Sequence, residues 1–189
     1  SSIEHPAILK PAEELKNNGV DVSFIKPNKD GIIKSKNIES AIKDNTKLVS
    51  IMMVNNELGT INPIEEISRI TANKKILFHT DAVQAFGKIP LDVQTLGIDF
   101  LSLSGHKFYG PKGIGILYKK SNITLKGLIT GGGQEQDIRA GTENVAGISA
   151  TGLAAENAKN NLEYNSNLIN DITDYFILNL NKHNIKYKI

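Results

Sequence analysis

The apolar residues of this chain fall into short continuous runs separated by polar stretches rich in glycine, proline and asparagine. KLVSIMMV (47–54), KILFHTDAV (75–83), IDFLSLS (98–104) and GIGILYKK (113–120) show little alternation. That is the pattern of strands buried on both faces. VDVSFI (20–25) is β-branched and reads as one more strand. Helical spacing is predicted over 11–18, with Pro11 as a first-turn residue and Gly19 as a stop. It is predicted again over 36–43 and over 63–73, the latter opened by Pro63, while KPNKDG (26–31) has turn chemistry. From Asn144 onward Ala, Leu and Ile recur through GISATGLAAENAKNNL to YFILNL, which predicts a long helical region. Strands alternating with helices, buried rather than half-exposed, predict an α/β fold: a mostly parallel sheet sandwiched by helices. The closing NIKYKI is strand-like but has no neighbour to pair with, so it is expected to start a second, small α+β domain.

Composition narrows the class. The chain has 189 residues, 40% hydrophobic and 22% charged, within the ordinary range for a globular domain. A net charge of +2 gives no reason to expect a nucleic-acid or membrane surface. No apolar run approaches the roughly 20 residues that span a bilayer, and no signal peptide is visible. The expectation is a cytoplasmic protein. There is no cysteine, which excludes disulfides, thiolate metal sites and a cysteine nucleophile within these residues. The chain opens SSIEHPAILK without Met, which points to a processed or truncated product.

The chemistry concentrates at the ends of the apolar runs. In FHTDAVQ (78–84), His79 and Asp81 are two apart and share one face of a strand. A carboxylate ending a buried strand is costly without a cationic partner. In SLSGHKFYGPKG (102–113) Lys107 follows the next predicted strand, flanked by Ser104, Gly105 and His106. In open α/β sheets ligands bind in the crevice beyond the C-terminal strand ends. An acid and an amine facing one crevice suggest pyridoxal phosphate: the Lys forms the Schiff base and the Asp pairs with the protonated ring nitrogen. On this reading Ser104 and His106 bind phosphate and His79 stacks on the ring; His5 either stacks on a cofactor or sits exposed. GHKFYGPKG is not a P-loop, because Pro111 follows Gly110 and Gly113 follows Lys112. NNELG (55–59) places Asn55 at another strand end, and GGGQEQDIRAGTENVAG (131–147) sets a glycine-rich loop and Thr142 before a helix start. No metal site is expected.

Together HTDAVQ, SGHKFYGPKG, NNELG and GGGQEQDIRAGTEN resemble the cysteine desulfurases of the NifS/IscS type, class V enzymes of the fold-type I pyridoxal-phosphate group. The similarity runs from about His5 to Asn144, and in outline to the end. SGHK with HTDA marks the wider class V group; NNELG and the glycine-rich loop narrow it to the desulfurases. The resemblance implies Lys107 as the Schiff-base lysine that moves protons at the substrate α-carbon, and Asp81 on the ring nitrogen. It implies Gln84 on the ring oxygen, and His5 stacked on the ring as acid/base. Ser104 and His106 would hold phosphate, Asn55 would lie near the substrate carboxylate, and Thr142 would reach the phosphate of a neighbouring subunit, so a homodimer follows. The implied reaction takes sulfur from L-cysteine, leaves alanine and an enzyme-bound persulfide, and hands sulfur to a protein acceptor for iron–sulfur assembly or tRNA thiolation. Three parts of the family pattern are absent from these residues: an upstream Gly-Ala-Thr-type phosphate turn, the nucleophilic cysteine, and the small C-terminal domain with its carboxylate-binding arginine. The implied division is the central part of a cofactor-binding large domain over 1–143, a connecting helical region over 144–180, and the start of a small domain over 181–189. Selenocysteine lyases and aminotransferases of the same class, or a catalytically silent scaffold, remain alternatives.

Overall fold

A computed structural model describes residues 1–187. The apolar runs become β1 (Leu48–Ser50), β2 (Leu77–Asp81), β3 (Phe100–Ser104) and β4 (Gly115–Lys119), a single sheet in the order β1-β2-β3-β4. β1, β2 and β3 run parallel, and β4 returns antiparallel to β3. Each ladder is shorter than its apolar run. β1 stops at Ser50 because the chain beyond it bonds irregularly: Ile51 and Met53 still donate to β2 carbonyls, whereas Met52 N–H donates to the Glu4 carboxylate.

The helices are α1 (Pro6–Asn17), α2 (Ser35–Ala41), α3 (Ile64–Asn73), α4 (Val145–Asn160) and α5 (Leu162–Lys182). α1 starts well before the expected residue 11. Pro6 takes the first helical position and the His5 ring caps it by accepting from Ala7 N–H, so Pro11 falls inside the helix. Two prolines fit the same rule, and the capped one wins. The long C-terminal helical region is broken once, at Asn161, into α4 and α5.

The expected strand over 20–25 does not form. A groove of about 370 Å³ separates this segment from β1, so its backbone has no ladder to join. No strand forms over 185–187 either, and residues 188 and 189 of the expected terminal strand lie outside the described residues.

The core lies between the sheet and α2 and α3. Ile67, Phe78 and Ile33 are wholly buried there, with Ile98 and Leu101 close behind. Each such side chain contributes about 1.5–3 kcal/mol by leaving water. α3 presents Ile64, Ile67, Ser68 and Thr71 to the sheet, the three-to-four spacing of one helix face. Ser68 Oγ donates to Gly97 O at 2.9 Å and so ties α3 to the chain entering β3. A smaller cluster on α4 matters more for the site: Phe108 packs against Ala154 and Ala158, and meets Phe86 edge-on with ring centroids 4.7 Å apart.

Candidate functional site

The parallel strands β1, β2 and β3 deliver their C-terminal ends to one sheet edge, where His79, Asp81, Ser104 and the turn carrying His106 and Lys107 stand. His79 and Asp81 share one face of β2, as the two-residue period requires. Ser50 is in register with His79 and Ser102 with Asp81, which puts all four on that face.

His79 is buried, with Nδ1 hydrogen-bonded to Ser50 Oγ at 2.7 Å and Nε2 to Ser102 Oγ at 2.9 Å. Both ring nitrogens are engaged inside the protein, so the ring is clamped between the strands. Burial pushes its pKa below the ordinary histidine value; the negative charges of Asp81 and Glu4 act in the opposite direction. The ring is therefore neutral at neutral pH.

Asp81 ends β2 at 7% exposure, and its Oδ1 accepts from Val83 N–H at 2.9 Å. Burial pushes its pKa above the ordinary carboxylate range. The Val83 bond lowers it, the Glu4 charge raises it, and His79 and His5 lower it. None of the ion pairs among the described residues involves Asp81. This is a largely desolvated carboxylate with no cation of its own, a setting that favours a positively charged ligand atom.

Lys107 lies in the 3₁₀ turn Gly105–Phe108 that follows β3 directly. The turn is closed by Gly110 N–H donating to Gly105 O and anchored by the buried Phe108. The lysine itself is exposed. It faces Lys88 across a groove of about 540 Å³ that α4 and α5 also line. Burial, and after it the Lys107 charge, lowers the pKa of Lys88, whose ammonium donates to Gln84 Oε1 at 2.7 Å. Ser104 Oγ and His106 Nδ1 are hydrogen-bonded at 2.9 Å beside the lysine.

His5, at the start of α1, is exposed and close enough to Asp81 to act on its charge. Asn55 is buried: its Oδ1 accepts from Glu57 and Leu58 N–H, and its Nδ2 donates to Ile3 O at 2.9 Å. It thereby ties the segment leading to His5 to the end of β1. Thr142 stands apart, exposed in the loop before α4 and not joined to the Asp81–Lys107 group. Within this loop Gly141 N–H donates to Gln134 Oε1 and Arg139 donates to Gly141 O.

Three polar residues were not singled out from the sequence: Ser50, Ser102 and Glu4. The serines alternate with buried apolar residues along β1 and β3, but only the strand register brings them to His79. Glu4 is buried, with Oε1 accepting from Met52 N–H at 2.9 Å and Oε2 without a protein partner.

Residues 1–183 match the family Aminotransferase class-V. The chain belongs to the class-V aminotransferases. Among curated relatives, the cysteine desulfurase IscS of Dictyoglomus turgidum is 44% identical over 182 residues, 96% of this chain and 46% of that protein. A solved NifS-like protein superposes with a TM-score of 0.93 at 38% identity, over 96% of this chain and 50% of that one. A second solved structure, SspA in complex with cysteine, gives a TM-score of 0.81 at 48% identity, over 82% of this chain and 46% of that one. The chain thus spans about half the length of the proteins it matches. The class-V fold is fold-type I, with a mostly parallel sheet flanked by helices as here, and the desulfurases of the class depend on pyridoxal phosphate.

Proposed function

We propose that this chain is the cofactor-binding part of a pyridoxal-phosphate-dependent cysteine desulfurase. The single observation that carries the reading is Asp81: a buried carboxylate with no ion-pair partner among the described residues, at the same sheet edge as the amine of Lys107. The donor set fits the cofactor. Asp81 suits a protonated ring nitrogen, and the Ser104–His106 pair offers a hydroxyl and an imidazole to a phosphate. Lys107 is the amine for the aldehyde carbon, and its exposure leaves it open to attack that carbon. Gln84, whose Oε1 accepts from Lys88, would donate from its Nε2 to the ring oxygen. His5 would stack on the ring and serve as acid/base, and Asn55, tied to Ile3 O, would lie near the substrate carboxylate and the ring oxygen. Thr142, exposed in the loop before α4, would serve a neighbouring subunit in a homodimer.

When bound, the cofactor supplies an electron sink that weakens bonds at the substrate α-carbon. The protein keeps the ring nitrogen protonated through Asp81, orients the ring through His5 and the phosphate pair, and moves a proton at the α-carbon through Lys107. L-cysteine is the substrate we infer, by analogy with desulfurase relatives and a solved relative holding cysteine. No thiol among these residues accepts the sulfur, so the accepting cysteine and the protein that receives sulfur from it lie elsewhere. We assign 1–143 to the large domain, 144–180 to the connecting helices and 181–189 to the start of the small domain.

The test is a titration with pyridoxal phosphate followed by visible absorbance. The chain should develop the band of lysine-bound cofactor, Asp81→Asn should weaken uptake at least tenfold, and L-cysteine should perturb the band where L-serine does not. A colourless protein at saturating cofactor would overturn the reading.

A further inference from the structure

The proposed chemistry leaves two buried titratable groups, Glu4 and His79, unused, and the second has the more informative contacts. His79 is buried and spends both ring nitrogens on hydroxyls of the flanking strands. One connected row, Ser50–His79–Ser102, therefore crosses β1, β2 and β3 on the face that carries Asp81. Its geometry concerns Asp81 directly. Ser102 is the β3 residue in register with Asp81, and the imidazole holds its hydroxyl from two residues back along β2. The same strand end is stitched by Ala82 N–H donating to Ser102 O and Val83 N–H donating to the Asp81 carboxylate. A shift of the ring would move Ser102, and with it the position at which β2 ends and Asp81 projects.

We propose that His79 is a positioning residue for Asp81: clamped between Ser50 and Ser102, it fixes the end of β2 so that the carboxylate meets the ring nitrogen of the cofactor. The clamp depends on a polar ring of this size. A phenylalanine fills the same space and breaks both bonds; a glutamine keeps a donor and an acceptor in reach of the hydroxyls. The charged groups facing the imidazole are Asp81 and Glu4, and His5 faces Asp81 from the start of α1. A charged imidazole at position 79 would compete with the ligand for the carboxylate, and the burial of His79 disfavours that charge.

The inference rests on the cofactor reading for its ligand, so its test includes a readout that needs no cofactor. Carbon-13 NMR of the Asp81 carboxyl across pH, in the full chain, reports the surroundings of that group directly. His79→Phe should displace the Asp81 titration, while His79→Gln stays near wild type. With pyridoxal phosphate, His79→Phe should bind about tenfold more weakly and His79→Gln within about threefold, as expected for losing or keeping a hydrogen-bonded pair. A packing role alone predicts the reverse order, because phenylalanine preserves the volume, with affinity following the melting temperature. If His79→Phe fails to fold, Ser102→Ala and Ser50→Ala each remove one arm, and Ser102→Ala should move the Asp81 titration more. An unchanged Asp81 titration in every foldable variant overturns the proposal. A wild-type chain that takes up no cofactor overturns the cofactor reading, while the Asp81 titration still decides whether His79 positions the carboxylate.

Discussion

Gly110→Ala probes whether the turn after β3 is the rigid seat of Lys107. Gly110 N–H donates to Gly105 O at 2.9 Å, which closes the loop holding His106 and Lys107. A Cβ on Gly110 would meet that same oxygen at 2.9 Å and its carbonyl carbon at 3.2 Å. Both are backbone atoms, so neither can swing aside as a side-chain tip would. Gly105 is itself confined, since Thr151 of α4 lies 3.1 Å from where its own Cβ would stand. The clash must open the turn, at the about 1–3 kcal/mol typical of overpacking. For a chain of this size each kcal/mol lowers the melting temperature by about 2–4 °C. The expected loss is then about 2–12 °C by calorimetry, together with weaker uptake of pyridoxal phosphate by absorbance. Gly152→Ala is the control: nothing lies within 4 Å of its Cβ position in α4, so it should be neutral or stabilise by up to about 1 kcal/mol. A Gly110→Ala chain that melts with wild type and takes up cofactor equally would refute the rigid-turn argument.

Phe78→Ala should cost about 3–5 kcal/mol in urea unfolding, because Phe78 is wholly buried on β2 beside His79; a loss under 1 kcal/mol would mean the sheet repacks. The pH profile has a definite sign. Folding lowers the His79 pKa, so the unfolded chain takes up that proton first, and stability should fall as pH drops through the ordinary histidine range. His79→Phe should flatten this limb of the denaturation profile, and an unchanged limb would assign it to another group. Asp81 acts oppositely: its raised pKa favours the folded state at low pH, and that contribution fades as pH rises through the folded value. Asp81→Asn should remove this fading in the same unfolding series.

The placement of Asp81 and Lys107 at one sheet edge was legible because each stands at the end of an apolar run. The buried strands announced themselves, and the groups at their C-terminal ends had to share an edge once the sheet was parallel. What stayed hidden is what register decides. Ser50 and Ser102 lie 29 and 23 residues from His79, and nothing local in LVSIM or FLSLS marks either serine as its partner. The sequence shows the proximity of His79 to Asp81 but not the two hydroxyls that hold it. The segment 20–25 has strand composition without a strand, since propensity supplies the side chains but not a neighbour. Lys107 follows an apolar run, and only the 3₁₀ turn shows that its side chain goes out to solvent while Phe108 points in.

The central claim is that Lys107 is the lysine that takes up the cofactor. The most direct measurement is borohydride reduction of the chain loaded with pyridoxal phosphate, then digestion and peptide mass mapping. The account predicts one labelled peptide carrying the mark on Lys107, lost in Lys107→Ala. A mark on Lys88, Lys112 or any other lysine of the wild-type chain would contradict it.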